Sequence, residues 1–314
     1  MELVENVHIL FDEQEHKYTD TLGNSYTSVT QLISKYEEKE DFYRIAKSCE
    51  KAGRNPNHPK YLKYRGKTAK QLLREWKEIT ETSLDRGNER HGFLEDNINK
   101  VNGYDKIKHK YIGDRIYTVY DLLDNNALGL LNLSKFNESD VKDRFPSIHK
   151  VISNFHNLGY SIYSEVCVYN PFYLVSGLID VPLIKDNTLI ILDWKTNRGD
   201  IRYEAGYYEK DNDGNLLNFV IKPKFFKYPL DHLECSVGNK YALQLSTYMY
   251  MAEHFGFKPG GILLTHIKHD KDDNNKEIVD IMPVKYLREE VKSMFEHHRK
   301  RLQSKRKTQF KLAI

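Results

Sequence analysis

The sequence predicts an α/β fold in which a mixed central β-sheet is flanked by helices. Strand-like runs lie on either side of a two-residue turn at Asp186-Asn187, and residues 189–192 form the short, wholly apolar run that is typical of a buried strand. Segments with helical spacing of apolar residues precede and follow these strands. With 314 residues, 39% of them hydrophobic, the chain can bury a substantial core as one elaborated domain.

Residues 1–80 are predicted to form a hairpin followed by a helical region. The hairpin turns at Gly23, between two strand-like segments. Ser28 and Gln31 have the spacing of a capping box and predict the start of a helix. Residues 37–80 are rich in charge and predict helices that are interrupted by a proline-containing loop.

Residues 81–283 are predicted to form the core of the fold, and residues 284–314 a basic C-terminal helix. An insertion rich in aromatic residues occupies positions 200–235. The predicted elements of the core are a helix with His91, a helix at 140–158, strands at 161–169, 174–184 and 188–195, a helix with Gln244, and strands at 261–267 and 277–282 around a polar turn, H-D-K-D-D-N-N-K.

Composition excludes several classes of protein. With 48 basic and 45 acidic residues the chain is nearly neutral, so any surface for nucleic acid must come from local clusters of charge. No run of about eighteen apolar residues is present and the N-terminus does not have the pattern of a secretion signal, so we expect a soluble, cytoplasmic protein without a membrane partner. The widely separated Cys49, Cys167 and Cys235 predict no disulfide framework, zinc site or iron–sulfur cluster.

Two carboxylates and a lysine are predicted to share one side of the hairpin that turns at Asp186-Asn187. Counting back along both strands sets Asp180 opposite Asp193, about 5 Å apart at Cβ, with Lys195 two residues further on the same face. Carboxylates this close repel each other unless one is protonated or a cation lies between them, and a hard divalent ion is the natural partner. The alternative is a structural pair of Asp193 with Lys195 and an Asp180 that caps a turn. The hairpin alone does not decide between them.

Two helical patterns add candidate groups. Gly87, His91 and Glu95 recur every four residues and therefore stack on one face of a helix, where His91 can supply a nitrogen ligand and Glu95 can lie near the same cation. Taken alone, His91 also fits an ordinary surface histidine. Gln244 and Tyr248 lie one turn apart on a later helix, a spacing that ordinary helix packing also produces.

Four motifs follow one another along the chain: Gly87-x3-His91-x3-Glu95, Gly177-x2-Asp180, Asp193-Trp194-Lys195-Thr196 and Gln244-x3-Tyr248. Their order resembles the PD-(D/E)XK nuclease superfamily, and within it the RecB-like and Cas4-like exonuclease branch. Outside this core, an opening H-K-Y followed by S-V-T-Q, and the segment L-D-H-L-E, are similar to bacteriophage-encoded members.

The resemblance implies a restriction-endonuclease-like core and a metal-dependent deoxyribonuclease, expected to be an exonuclease of recombination, repair or phage genome processing that acts in the host cytoplasm if phage-encoded. It implies that Mg²⁺, replaceable by Mn²⁺, is bound by His91, Asp180, Asp193 and the backbone carbonyl of Trp194. Some members of the branch carry four cysteines that bind an iron–sulfur cluster. This chain has only three cysteines and is expected to lack that cluster.

The same resemblance implies catalytic roles for Asp180, Asp193, Lys195, Gln244 and Tyr248. The lysine orients the attacking water or stabilises the charge that develops on phosphate, and the glutamine and tyrosine support the site and contact substrate near it. Two further candidate ligands are the Glu95 of the first helix and a glutamate that opens a strand before the hairpin, Glu165. A plain strand-edge position is the alternative for the second of these.

Two basic segments predict contacts with nucleic acid. In the first, cations that can meet phosphates alternate with tyrosines that can stack on unpaired bases. The second belongs to the C-terminal helix, where a solvated tail is the alternative. The predicted residues are Arg54, Lys60, Tyr61, Lys63, Tyr64, Arg65 and Lys67 in the first segment, and Arg299, Lys300 and Arg301 in the second.

The expected partner is therefore DNA, single- or double-stranded. Two other functions stay open on the sequence. One is a degenerate relative that binds nucleic acid without cutting it, although the intact Asp180, Asp193 and Lys195 argue against this. The other is a recombination subunit that acts through a single-strand annealing protein, with residues 200–235 as its interface.

Overall fold

A computed structural model shows a mixed α/β architecture, as predicted, and describes residues 7–12, 15, 17–102, 111–112, 115–123, 131–211, 215–269 and 277–312. The strands are β1 (Ile9–Asp12), β2 (Lys17–Asp20), β3 (Ser25–Ser28), β4 (Tyr111–Ile112), β5 (Arg115–Ile116), β6 (Ser161–Ile162), β7 (Val166–Asn170), β8 (Val175–Ile179), β9 (Val181–Lys185), β10 (Thr188–Lys195), β11 (Gly206–Lys210), β12 (Leu216–Ile221), β13 (Lys258–His269) and β14 (Glu277–Pro283). The α-helices are α1 (Val29–Ser34), α2 (Phe42–Ala52), α3 (Tyr61–Tyr64), α4 (Ala69–Asn102), α5 (Leu133–Asn137), α6 (Val141–Arg144), α7 (Pro146–Asn157), α8 (Val237–Glu253) and α9 (Arg288–Leu312), and a 3-10 helix spans Val119–Leu123.

Two five-stranded mixed sheets carry the fold. Their strand orders are β1-β2-β3-β8-β7 and β14-β13-β10-β9-β6. In these sheets β3 pairs with β8 and β10 pairs with β13 in parallel, and the other neighbours are antiparallel. A single residue, Asp180, separates β8 from β9, so the chain passes from one sheet into the other at that residue.

The second sheet is covered by helices on both faces. Because side chains alternate along a strand, Leu189 and Ile191 of β10 join the core under α8, whereas Leu192 and Trp194 join the core formed with α4, α5 and α7. A strand buried on both faces has few polar positions, which explains the apolar run in β10. A carboxylate within such a strand is therefore unusual.

The hairpin of β9 and β10 has the predicted turn. Lys185 pairs with Thr188, and Asp186 and Asn187 have φ values of 49° and 60°. Positive φ at both central residues is the geometry of a type I′ turn, whose twist matches that of the two strands. The predicted register is therefore confirmed as far as the pair of Leu192 and Val181.

The N-terminal region is a three-stranded meander where a single hairpin was predicted. The first strand-like segment is divided into β1, which ends at Asp12, and β2, which begins at Lys17, and the backbone N–H of Glu15 donates to the Asp12 carboxylate at 3.0 Å. Gly23 makes the second turn with a φ of 82°. Ser28 is the N-cap of α1, as predicted, and its hydroxyl accepts from the backbone N–H of Gln31 at 3.3 Å.

Proline divides the helix that was predicted at residues 140–158. α6 ends at Arg144, and α7 begins at Pro146. Phe145, between them, has a non-helical φ of −131° and ψ of 64°. The ring of a proline excludes the helical conformation at the preceding residue, and proline itself is well suited to the first turn of a new helix.

Helix α4 is the longest element in the described part of the chain. It passes without a break through the boundary predicted between residues 80 and 81 and spans about 50 Å at 1.5 Å per residue. Residues 77–86 are exposed on every side, so this stretch joins a small helical lobe, made of α2, α3 and the start of α4, to the sheets. The lobe has its own core of Ala46, Ala69 and Leu72.

The C-terminal half agrees with the prediction in its order of elements. β13 and β14 pair in antiparallel, and α9 begins four residues later than predicted and continues to Leu312. The polar turn predicted between the strands lies, from residue 270 to 276, outside the described residues. No helix in the described ranges is long and apolar enough to cross a membrane.

Candidate metal-binding active site

Three side chains from different elements converge where the chain passes from one sheet into the other. His91 of α4, Glu165 at the start of β7 and Asp180 each offer one ligand atom, and these atoms lie within 4.8 Å of one another. His91 Nδ1 lies 3.6 Å from Asp180 Oδ2. We refer to these three residues as the His-Glu-Asp cluster.

Backbone geometry brings Glu165 into the cluster. Its φ of 54° lies in the left-handed region, which is uncommon for a residue other than glycine, asparagine or aspartate. Its backbone N–H donates to the carbonyl oxygen of Asp180 at 2.9 Å. This conformation interrupts the strand predicted at 161–169, and strained residues of this kind are concentrated at functional sites.

Asp180 joins the cluster to β10. Its carboxylate Oδ2 accepts a hydrogen bond from the backbone N–H of Trp194 at 2.9 Å, while the Trp194 ring is buried on the opposite face of the strand. Asp180 also divides the strand predicted at 174–184 into β8 and β9. The predicted role of the Trp194 carbonyl as a metal ligand stays a prediction.

Asp193 and Lys195 form a buried ion pair next to the cluster, with side chains 1% and 13% exposed. Burial, together with the nearby charge of Asp180, raises the pKa of Asp193, although Lys195 opposes the shift. Burial also opposes the charge of Lys195, but attraction to Asp193 and Asp180 outweighs it and raises the pKa of the ammonium. Lys195 is therefore protonated at neutral pH.

The structure brings the predicted site residues together with one rearrangement. Asp193 pairs with Lys195, and Asp180 lies near enough to act on the charges of both. The predicted pairing of Asp180 with Asp193 lies one position beyond the observed register of β9 and β10 and stays a prediction. The group of three that meets within 4.8 Å contains Glu165 in the place that the sequence assigned to Asp193, and Glu95 is not one of its members. The sequence named Glu165 as a further candidate ligand, and the backbone conformation at this residue brings it into the group.

Gln244 and Tyr248 support the site from the core side. Gln244 Nε2 donates to the Tyr248 hydroxyl at 2.9 Å, and the buried Tyr248 ring packs on Gly177, where a Cβ atom would lie 2.5 Å from Tyr248 Cε1. A Cβ at Gly87 would lie 3.2 Å from Thr196 Oγ1, so α4 also passes close to the end of β10. The glycines of both motifs are therefore explained by close approach.

Replacing Gly177 by alanine is expected to lower the free energy of unfolding by about 1–3 kcal/mol, because the new methyl group overlaps a buried ring. Denaturant unfolding of the variant measures this loss. Gly92→Ala is the matched control, since a Cβ there meets no atom within 4 Å and helix propensity favours alanine. Equal stability of the Gly177→Ala variant and the parent protein would contradict the packing argument.

Three polar side chains next to Lys195 were not singled out from the sequence. The Tyr241 ring centroid lies 5.0 Å from Lys195 Nζ, and the Tyr241 hydroxyl donates to Asn197 Oδ1 at 2.6 Å. His266 is the partner of Lys195 in the parallel ladder, and its Nε2 lies 2.8 Å from the Asn197 carbonyl oxygen. Only the position of Asn197, directly after the D-W-K-T motif, hinted at such a role.

The first basic segment lies in the helical lobe, and some of its cations already have acidic partners. Arg54 pairs with Glu50, and Lys67 pairs with Glu75 at 2.8 Å. Ion pairs at the surface are weak, so these cations stay available to phosphate. Lys60 is exposed at the N-terminal end of α3.

One lysine connects this lobe to the inserted hairpin. Lys63 Nζ donates to the backbone carbonyls of Lys210 and Asp211, at 3.0 and 3.3 Å. Arg65 lies over the Tyr61 ring, 5.7 Å from its centroid, and both are accessible for nucleic-acid contacts.

Tyr64 has a different environment from the one predicted. It packs in the small core of the lobe, where burial and a hydrogen bond with Cys49 raise its pKa to about 12. Its ring therefore supports the lobe, and of the two tyrosines in the segment Tyr61 is the better candidate for stacking on a base.

The second basic segment lies far from the His-Glu-Asp cluster. The Arg299 guanidinium is 4.9 Å from the centroid of the Phe172 ring, in the turn between β7 and β8. Glu165 and Asp180 lie at the other end of this hairpin, about 17 Å away for strands of five residues. Lys300 and Arg301 follow Arg299 on α9 and are exposed. A role in contacts close to the cluster is therefore better suited to the first segment.

The donor set of the cluster fits a hard divalent cation. One imidazole nitrogen and two carboxylate oxygens are ligands that Mg²⁺ and Mn²⁺ accept, and a cation relieves the repulsion between the two carboxylates. Comparisons with models of known protein families and with curated proteins found no match. Function is therefore inferred from the chemistry of the site itself.

Proposed function

We propose that the protein is a metal-dependent nuclease that hydrolyses DNA phosphodiester bonds, with the restriction-endonuclease-like core and PD-(D/E)XK chemistry that its motifs resemble. The observation that carries this proposal is the position of the Asp193–Lys195 pair directly beside the His-Glu-Asp cluster. A cation site next to a protonated lysine suits a reaction at an anionic phosphate. The resemblance favours an exonuclease that acts in the cytoplasm.

His91, Glu165 and Asp180 would hold Mg²⁺ or Mn²⁺, with Asp193 as an adjacent carboxylate. When bound, such an ion lowers the pKa of a coordinated water and offsets the charge of the phosphate. The protein contributes ligands from three separate elements, so folding of both sheets and α4 is needed to assemble the site. Asp180 is further restrained by the Trp194 backbone N–H.

Lys195 acts as an electrostatic group in this proposal. Because the carboxylates of Asp193 and Asp180 raise its pKa, it does not serve as a general base near neutral pH. Its ammonium can donate hydrogen bonds to a phosphate oxygen or to the attacking water, and a donor held in place before the reaction stabilises developing charge at little further cost. Gln244 and Tyr248 restrain α8 next to the site through their hydrogen bond and the contact with Gly177.

The arrangement around the site supports DNA as the substrate. Residues 196–205 connect β10 to the inserted hairpin of β11 and β12, and Lys63 links that hairpin to the basic helical lobe. Accessible cations and Tyr61 therefore lie on elements connected to the site, where they can contact phosphates and bases of a strand that reaches it.

The proposal is tested by incubating the purified protein with linear and circular DNA, single- and double-stranded, and sizing the products. We expect cleavage in Mg²⁺ or Mn²⁺ and none in EDTA, with activity restored when the metal is returned, because the carboxylates need the cation to approach phosphate. Loss of circles together with linear DNA would indicate internal cutting, and loss of linear DNA alone would indicate an exonuclease.

Binding in a gel-shift assay without any cleavage across these substrates and metals would contradict the nuclease proposal. It would favour the alternative of a nucleic-acid-binding protein that keeps the fold.

A further inference from the structure

The Lys195 side chain lies between a carboxylate and an aromatic ring. Its ammonium pairs with Asp193 on one side, and the centroid of the Tyr241 ring lies 5.0 Å away on another. A lysine side chain has many rotamers, so holding its charged end in one direction requires more than a single contact. The face of an aromatic ring attracts a cation, and the attraction is stronger where water is largely excluded. The Lys195 side chain is only 13% exposed.

Asn197 holds the Tyr241 ring in its orientation. The Tyr241 hydroxyl donates to Asn197 Oδ1 at 2.6 Å, and the Asn197 backbone carbonyl accepts from His266 Nε2 at 2.8 Å. His266 is buried and lies beside Lys195 on the neighbouring strand β13. The Tyr241 ring is therefore held by three parts of the fold. Its backbone belongs to α8, its hydroxyl bonds to Asn197, and Asn197 is bonded in turn to His266 of β13.

The protonation of His266 suits this role. Burial lowers its pKa, so the imidazole is neutral near pH 7. A carbonyl oxygen can only accept, so the ring proton resides on Nε2. The hydrogen bond to Asn197 is thus present in the neutral form, and no charge is added beside the Lys195 ammonium.

We propose that Tyr241 is a positioning residue that directs the Lys195 ammonium toward the His-Glu-Asp cluster, and that Asn197 and His266 fix Tyr241 for this task. The consequence for catalysis rests on the proposed nuclease function. The position of the ammonium does not depend on that function, and it can be measured even if the protein does not cleave DNA. A tyrosine that only fills space would be replaceable without any effect on Lys195.

The direct test is the chemical reactivity of Lys195. The folded protein is labelled with limiting acetic anhydride, and the rate at each lysine is measured by mass spectrometry. Tyr241→Leu is expected to raise the labelling rate of Lys195 about five- to tenfold, because the ring no longer covers and attracts the ammonium. Lys185, whose Nζ donates to the Leu158 carbonyl, is the internal reference and is expected to be unchanged.

Two milder variants separate the ring from its anchor. Tyr241→Phe keeps the ring and loses the hydrogen bond to Asn197, and Asn197→Ala loses the same bond from the other side. Each is expected to raise Lys195 labelling about twofold, and the double variant is expected to do no more than either alone, because residues that share one interaction are not additive.

Kinetics supply the second readout. Tyr241→Leu is expected to lower kcat for DNA cleavage about tenfold with little change in KM, since a displaced ammonium weakens transition-state contacts more than substrate binding. Tyr43→Leu is the matched control. It removes another tyrosine ring that faces a lysine, Lys47 at 5.8 Å, from the exposed surface of α2, and is expected to leave kcat unchanged.

The outcomes distinguish the two proposals. Unchanged Lys195 labelling in Tyr241→Leu would overturn the positioning role, and so would an equal rise at Lys185, which would indicate general loosening of the fold. Absence of cleavage by the parent protein would remove the nuclease function and leave the labelling result to decide the role of Tyr241. A tenfold fall in kcat with the labelling rise confined to Lys195 is the result we expect.

Discussion

Replacing Lys195 by methionine is expected to lower the rate of DNA cleavage by about 10²- to 10³-fold, the usual effect of removing a donor that stabilises charge at a reacting centre. Methionine keeps much of the volume of the side chain and removes the ammonium. The variant leaves Asp193 buried without its partner, but the raised pKa of that carboxyl allows it to take up a proton, so we expect the fold to persist. Initial rates in Mg²⁺ and denaturant unfolding measure the two effects separately.

The chain contains its own control for this experiment. Asp140 and Lys142 have the same acid-x-lysine spacing, but both side chains are exposed at α6, so Lys142→Met is expected to retain the parent rate. Asp193→Asn is expected to be as inactive as Lys195→Met and to bind DNA in a gel shift. Cleavage at the parent rate by either site variant would contradict the assignment of the pair.

Removing any member of the His-Glu-Asp cluster is expected to weaken Mn²⁺ binding by at least about tenfold, as measured by calorimetry or by the electron paramagnetic resonance signal of free Mn²⁺. The variants are His91→Ala, Glu165→Gln and Asp180→Asn. The amide variants keep the shape of the side chain, and Asn at position 180 can still accept from the Trp194 backbone N–H. Their effect therefore reports the lost ligand charge.

Glu95→Gln is the matched control on the same helix as His91. Because Glu95 lies outside the group of three, this variant is expected to bind Mn²⁺ like the parent protein. Parent-like Mn²⁺ affinity in all three cluster variants would exclude this cluster as the metal site.

The sequence by itself determined the class of fold and the local geometry of the hairpin. The Asp186-Asn187 turn sets the register of β9 and β10, which pairs Leu192 with Val181 and so brings Asp180 near Asp193 and Lys195. These relations follow from the turn type and the alternation of side chains along a strand, which neighbouring residues decide. Gly87, by contrast, was only part of a spacing in the sequence, and its close approach to Thr196 is known from the structure.

The tertiary structure alone decided which groups complete the site. Glu165 enters through a left-handed backbone conformation at the start of β7, and Tyr241 and His266 arrive from a helix and a strand that are distant in sequence from Lys195. Such contacts depend on how whole elements pack, so no spacing along the chain encodes them. The C-terminal cations illustrate the same limit, because their charge is plain in the sequence while the packing of α9 places Arg299 at the far end of the β7–β8 hairpin.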